Sequence, residues 1–229
     1  MRGGRYVSVG YEGYGAGAPD RTGQAEAFDA IGRHYDAAFP HKEGQLAAGA
    51  WLSGELAAGS RILDVGCGTG LPTAGALVAD GHEVTGVDLS PGMVGLARAN
   101  VPGGTFLRRD VAALRPDGPE GLGHFDGITC FFTLLMLPRT EIPYALSSLR
   151  SLLRPGGLLA LSMVEADLDD AGIPFLGHEI RVSGYLRAEL RQVVGGAGFE
   201  ILAEDSYAYA PATTDAPPEY QLFLNCRRA

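Results

Sequence analysis

Between Arg61 and Thr73 the chain reads RILDVGCGTGLPT, in which an acid, Asp64, precedes three glycines at alternate positions, Gly66, Gly68 and Gly70. Glycines at that density let a backbone turn tightly and approach a bound molecule closely, which is the use of a glycine loop between a strand and a helix. A dinucleotide loop spaces its glycines as Gly-x-Gly-x-x-Gly, the third allowing the helix to pack on the strand. Here Gly66 and Gly68 satisfy the first two positions and Leu71 falls on the third. An acid at the end of the strand, Asp64, repels a pyrophosphate but suits a ligand carrying an ammonium group. A second acid, Asp88, ends the run VTGVDLS about twenty residues past the loop, where a carboxylate can accept hydrogen bonds from both hydroxyls of a ribose.

The elements that must position these residues follow from periodicity. Residues 1–22, rich in glycine and tyrosine, have no period and read as a flexible tail, or as a lid in which Tyr11 or Tyr14 stacks on bound substrate. In AEAFDAIGRHYDAAF, Phe28, Ile31 and Tyr35 recur at helical steps, and GQLAAGAWLSGELAAG continues a helical cap over 23–58. Five short apolar runs then read as strands: RILDV, HEVTGVDL, GTFLRRD, FDGITCFF and GLLALSMV. LPTAGALVADG, PGMVGLARAN and PRTEIPYALSSLRSLLRPGG read as the helices among them, the second opened by Ser90 with Pro91 at the first helical position. Strands separated by helices of that length imply a parallel sheet with right-handed crossovers. After a further helix, SGYLRAELRQVVGGAGF, two strands are joined only by ATTDAP, too short for a crossover, so they are expected to pair antiparallel. The expected fold is α/β: a Rossmann-like, open, mostly parallel seven-stranded sheet with helices on both faces and a C-terminal antiparallel hairpin strand. One domain over 23–229 is expected, with a substrate-side insertion at 165–184.

Composition bounds the class. With 46% hydrophobic residues, the 229-residue chain can fill the core of one such domain. A net charge of −9 disfavours a nucleic-acid partner, which needs clustered lysine and arginine. There is no long apolar run and no basic-then-apolar start, so neither a membrane span nor a secretory signal is expected. Cys67, Cys130 and Cys226 show no paired spacing and read as reduced thiols in a cytoplasmic protein, without a disulfide or zinc framework. Lys42 is the sole lysine; the arginine, glycine and alanine bias suggests a GC-rich bacterial genome and carries no mechanism.

A ribose held by Asp88 belongs to NAD and to S-adenosylmethionine alike. The succession ILDVGCGTG, VTGVDLSPGMVGLAR, FLRRDVAAL, FDGITCFFTLLML and LLRPGGLLALSMV resembles, in order and spacing, the motifs of class I S-adenosylmethionine-dependent methyltransferases over roughly 28–229. The C-terminal hairpin is similar to that family's reversed last strand. The resemblance implies S-adenosylmethionine as cofactor and S-adenosylhomocysteine as its product. It places Gly66, Gly68 and Gly70 along the methionine part of the cofactor with Asp64 near its ammonium. It also places Asp88 on the ribose, Leu89 and Met93 about the adenine, Asp110 and the Val111 amide at the adenine edge, Phe131 near the departing methyl, and Tyr35 at the methionine carboxylate. Tyr35 also reads as a half-buried core tyrosine.

The acceptor side is constrained mainly by what the sequence omits. The family's adenine and glutamine N-methylating members carry Asn or Asp followed by Pro-Pro and an aromatic after the fourth strand, where this chain has CFFTLLMLP. Paired glutamates of protein-arginine enzymes and the magnesium-binding Asp of catechol-type enzymes are absent there too. The acids of MVEADLDD match no metal loop and read as a solvated acidic stretch, so no metal is expected. Segments beyond the carboxyl ends of parallel strands hold substrates in such sheets. His178, in DAGIPFLGHEIRVSGY, is therefore the candidate base, because imidazole titrates near neutral pH; it also reads as a surface histidine on a structural hairpin. Glu179 and Arg181 are candidate orienters, Arg181 also contacting substrate. His34, His41 and His124 are weaker choices, His124 lying at a strand entrance. Phe132, Leu135, Met136, Phe175 and Leu176 suggest an apolar pocket for an aromatic or polyketide-like acceptor, or core.

The expected activity is O- or N-methylation of a small specialised metabolite by in-line transfer, by a cytoplasmic monomer or homodimer with no nucleic-acid or membrane partner. The rival readings are a non-methylating or C-alkylating enzyme that uses the cofactor's charge, and a non-catalytic cofactor-binding protein. A NAD-dependent reductase fails on Leu71 and on the absence of a catalytic tyrosine–lysine pair.

Overall fold

Five aliphatic runs form the parallel part of the sheet: Arg61–Val65 (β1), Glu83–Asp88 (β2), Thr105–Arg108 (β3), Phe125–Phe131 (β4) and Leu153–Val164 (β5). The computed structural model describes residues 21–210 and 218–229; the tail-or-lid expectation for 1–20 and the ATTDAP connection lie outside them. β1, β4 and the second half of β5 are buried almost throughout, as befits strands covered on both faces. Leu168–Phe175 (β6) and His178–Gly184 (β7) pair antiparallel in a small sheet of their own, while Phe199–Tyr209 (β8) and Glu219–Arg228 (β9) return to the main one. Its order is β3-β2-β1-β4-β5-β9-β8, seven strands of which only β9 runs opposite to the rest. The reversed strand is thus inserted beside β5 instead of lying at the edge.

Among the described residues seven α-helices cover this sheet: Thr22–Ile31 (α1), His34–Ala38 (α2), Glu43–Glu55 (α3), Thr73–Ala79 (α4), Pro91–Asn100 (α5), Ile142–Leu152 (α6) and Arg187–Gly196 (α7). Leu52, Leu77, Val94 and Ala97 build the core on one face, and Leu146, Leu149, Leu190 and Val194 that on the other. The α5 start is capped as its sequence requires: Ser90 Oγ accepts from the Met93 amide at 2.9 Å with Pro91 in the first turn.

Three local expectations are corrected. The 25–39 stretch forms two helices, because Gly32 adopts φ +47° and ends α1 with its N–H on Phe28 O. The α6 helix stops at Leu152 and the chain passes straight into β5, since Pro155 has no amide to donate and Gly156 sits at φ +74°. The expected helix from Ser183 loses its first residues to strand pairing, Gly184 opposite Leu168 and Tyr185 bridging Glu165. No helix among the described residues is long and apolar enough to cross a membrane.

Leu146 is fully buried on α6, so Leu146→Ala is expected to lower stability by about 2–5 kcal/mol in urea unfolding. A loss below about 1 kcal/mol would refute this assignment of the core.

Candidate functional site

Strand order reverses between β1 and β4: β1 pairs with β2 on one side and with β4 on the other, and the order runs outward from that pair in both directions. Connections leaving such a pair go to opposite faces and leave a crevice at the carboxyl ends. A cavity of about 1430 Å³ occupies that place. Its floor is the glycine loop and the ends of β2, β3 and β4; its roof is α1, α2 and the β6–β7 hairpin. A pocket for one drug-sized molecule measures about 300–1,000 Å³, so there is room for two ligands side by side.

The three glycines do three different things. Gly66, at φ +69°, passes so close to β4 that a Cβ would fall 1.9 Å from Thr133 Oγ1, whose hydroxyl donates to Val65 O at 2.9 Å. Gly68, at φ +52°, lines the cavity, and a Cβ there would meet no described atom within 4 Å. Gly70 corrects the expectation that all three face the cofactor. It is absent from the cavity wall, and its Cβ position lies 3.1 Å from Val101 and 3.3 Å from Ala97 Cα, so it lets the loop pack on α5.

Two acids face the same space. Asp64 is buried at the end of β1; Oδ1 accepts from Thr129 Oγ1 at 2.8 Å, and Oδ2 has no hydrogen-bond partner among the described residues. Burial, with a smaller contribution from nearby Asp88, pushes Asp64 up to about 7. Asp88 Oδ2 accepts from the Gly68 amide at 3.0 Å and Oδ1 from the Ser90 amide at 2.9 Å, which fixes the carboxylate against the loop. Burial raises this group too, although those amides oppose the shift. A buried carboxylate oxygen with no donor, beside a glycine edge open to a ligand, fits a small cationic group such as an amino acid ammonium. The residues present therefore fit the cofactor implied by the motifs.

Leu89, Met93, Val111 and Phe131 all line the cavity, Met93 and Phe131 being buried. Asp110 lines it as well but is already engaged, Oδ2 accepting from Arg21 Nη1 at 2.6 Å and Oδ1 from the Ala112 amide at 2.9 Å. Tyr35 reaches the cavity from α2, its phenol held above its ordinary range by burial and then by Asp36. Asp36 ties α2 to the glycine loop, accepting from Thr69 Oγ1 at 2.7 Å and pairing with Lys42. Asp29 ties α1 to the start of α5, accepting from the Gly92 amide at 2.8 Å and from Ser90 Oγ.

Phe132, Leu135, Met136, Phe175, Leu176 and His178, the residues expected on the acceptor side, all line the cavity. Phe132 and Leu176 adopt φ +53° and +49°, strained for large side chains, and both lie on the wall. Arg181 is corrected: it is exposed, lies off the wall and grips Asp170 at 2.7 Å, because alternation along β7 turns it away from the side that carries His178 and Ile180 inward. Glu179 lies off the wall for the same reason. His34 and His41 border the cavity, and His124 lies at the opposite end of the sheet with Arg61 and Arg154. Three acids of the 165–170 stretch pair with arginines, Glu165 with Arg187, Asp167 with Arg139 and Asp170 with Arg181, and Asp169 accepts from the Arg139 backbone amide.

Sequence reading missed Arg21, Thr133, Tyr209, Glu219 and Gln221, all on the wall. Arg21 bridges Asp110 and Glu141 from just before α1. Tyr209 and Glu219 are direct cross-strand partners at the β8–β9 end, and the hairpin topology was the signal that could have placed them at the carboxyl end.

Comparison with known proteins agrees with this geometry. The family described as methyltransferase domain matches residues 35–204. The chain belongs to that family, on the fold of the class I S-adenosylmethionine-dependent methyltransferases. It is 38% identical over 107 residues to a ubiquinone biosynthesis O-methyltransferase of Xanthomonas axonopodis pv. citri, a match covering 46% of this chain and 43% of that protein. Among solved structures it resembles the 1,6-didemethyltoxoflavin-N1-methyltransferase of Burkholderia thailandensis (TM-score 0.67, 22% identity, 91% of this chain and 88% of that one). It resembles the [4+2]-cyclase SpnF equally well (TM-score 0.68, 19% identity, 92% of this chain and 97% of that one). Such likenesses carry the fold; the chemistry rests on the site.

The raised Asp64 sets a pH dependence. Its folded pKa of about 7 exceeds the reference 3.8, so its stabilising contribution is complete below about pH 4 and is lost as pH rises through 7. Urea unfolding at pH 5 and pH 8 is expected to show a larger loss for the unmodified chain than for Asp64→Asn. Equal losses would contradict the assignment.

Proposed function

We propose that the chain methylates an oxygen or nitrogen of a small specialised metabolite, with S-adenosylmethionine as donor. The observation that carries this reading is the Asp64 oxygen without a partner beside the open Gly68 edge, with Asp88 fixed on the same loop. When bound, the cofactor supplies a methyl group already activated on a sulfonium. The chain's own residues bind, orient and shield. Asp64 holds the ammonium, Tyr35 donates its hydroxyl to the carboxylate, and at Gly66 and Gly68 the loop backbone passes along the methionine part of the ligand. Asp88 still has lone pairs for the ribose hydroxyls after accepting two amides. Leu89, Met93 and Val111 enclose the base. Asp110 receives its amino group by sharing the carboxylate with Arg21 or displacing it.

Phe131, Phe132, Leu135 and Phe175 give an apolar compartment beside that site, which keeps water from the reacting atoms and holds the acceptor close to them. His178, on the wall of the same compartment, takes the acceptor's proton. We place the protein in the cytoplasm, with the β6–β7 hairpin within 165–184 as the substrate-side insertion and 23–58 as the cap.

Calorimetric titration with S-adenosylmethionine and S-adenosylhomocysteine is expected to show binding that Asp88→Ala abolishes. Failure of the unmodified, folded chain to bind either ligand would sink the proposal. With an acceptor found by product mass, His178→Gln is expected to lower kcat by roughly 10²–10⁴-fold with little change in KM. A product of unchanged mass would favour the cyclase-type reading instead.

A further inference from the structure

The far wall of the cavity, away from the glycine loop, is made by the last two strands. Tyr209 closes β8 and Glu219 opens β9, directly opposite one another in register, and Gln221 follows Glu219 on the same face. The Tyr209 hydroxyl is buried and has no hydrogen-bond partner among the described residues. Glu219 accepts from Gln221 Nε2 at 3.0 Å and takes part in none of the described ion pairs. Of the lysine and arginine side chains on the wall, Lys42 pairs with Asp36 and Arg21 with Asp110 and Glu141, while Arg109 follows β3 at the other edge of the sheet. Burial raises the Glu219 carboxyl, opposed by the Gln221 amide; burial raises the Tyr35 and Tyr209 phenols too, with Glu219 adding to both, and all three line the cavity.

Aromatic rings lead to that carboxylate. Phe39 stacks on Tyr209 with centroids 5.9 Å apart and on Phe175 at 5.6 Å, and Tyr35 lies 6.5 Å from Phe175. The rings come from α2, the β6–β7 hairpin and β8, so they form a sleeve with Glu219 and the free Tyr209 hydroxyl at its end. Ring faces attract cations, and a partly buried carboxylate favours a charged partner. Among the described residues the Gln221 amide donates to Glu219 and no cation pairs with it, which leaves that place to a ligand.

We infer that this sleeve is the recognition site for an acceptor carrying an alkylammonium group on an aromatic or aliphatic body, with Glu219 and the Tyr209 hydroxyl holding the cation. The inference rests on the reading of this cavity as an acceptor site. It assigns a binding role only: the ammonium is anchored at the far wall while the atom to be methylated faces Phe131, and His178 keeps its place as base. Anchoring a remote group is how binding energy positions a reacting one.

Three probes of similar size separate the possibilities: phenethylamine, 2-phenylethanol and 3-phenylpropanoate, titrated calorimetrically into the full chain saturated with S-adenosylhomocysteine. The amine is expected to bind about tenfold or more tightly than either of the others. Glu219→Gln is expected to remove that preference, and Tyr209→Phe to weaken amine binding several-fold, while affinity for S-adenosylhomocysteine is unchanged in both. Equal binding of the three probes, preference for the carboxylate or alcohol, or no amine binding overturns the inference. The comparison on the unmodified chain decides this even if a variant does not fold. Absence of S-adenosylhomocysteine binding overturns the methyltransferase reading itself, and is seen before any probe is added.

Discussion

The rest of the site depends on one close approach. At Gly66 the chain leaves β1 in a left-handed conformation with no side chain, and the space so freed is filled by the Thr133 hydroxyl, which bonds back to Val65 O. That contact clips the ends of β1 and β4 together across the point where strand order reverses. With the two ends fixed, the following loops must diverge to opposite faces, and the crevice between them is the cavity floor. Gly68 can then face outward with Asp88 bonded to its amide, and Gly70 can pack on α5. A side chain at Gly66 would displace Thr133 and separate the strand ends.

The roof is held differently, by carboxylates. Asp29 anchors α1 to the start of α5, Asp36 anchors α2 to Thr69, and Arg21 joins the chain before α1 to Asp110 and Glu141. The short α1 and α2 helices are thus fastened by their polar side toward the cofactor half, leaving Phe28, Tyr35 and Phe39 to meet Phe175 of the hairpin. One polar latch and one aromatic seam close the same cavity from opposite sides. Of the two strained residues on the wall, Leu176 follows Phe175 at the seam, and Phe132 follows β4, where its ring packs on Phe223.

Much of this was legible in the sequence, for physical reasons that differ from residue to residue. Strand and helix alternation gave the sheet because buried parallel strands must be apolar runs, and Asp88 could be placed because a glycine loop fixes its distance to the next strand end. Gly70 was misread because spacing alone does not say which way a left-handed glycine turns; that depends on Val101 and Ala97, thirty residues away. Arg181 was misread because hairpin register decides its face, and one residue of shift exchanges it with His178 and Ile180. Tyr209 and Glu219 carried no local motif at all; only the pairing of β8 with β9 brings them together.

Because β9 is inserted in reverse between β5 and β8, residues near the carboxyl terminus of the chain open onto the same end of the sheet as the first glycine loop. The two halves of the cavity wall are therefore encoded far apart: the glycine-loop side by β1 to β4, the opposite side largely by the strand pairs β6–β7 and β8–β9. Mutations can accumulate in those hairpins without crossing the hydrogen bonds that hold the glycine loop. The architecture thus keeps the fastening of the glycine loop separate from the shape of the opposite wall, so the two strand pairs can be exchanged as a unit without touching that loop.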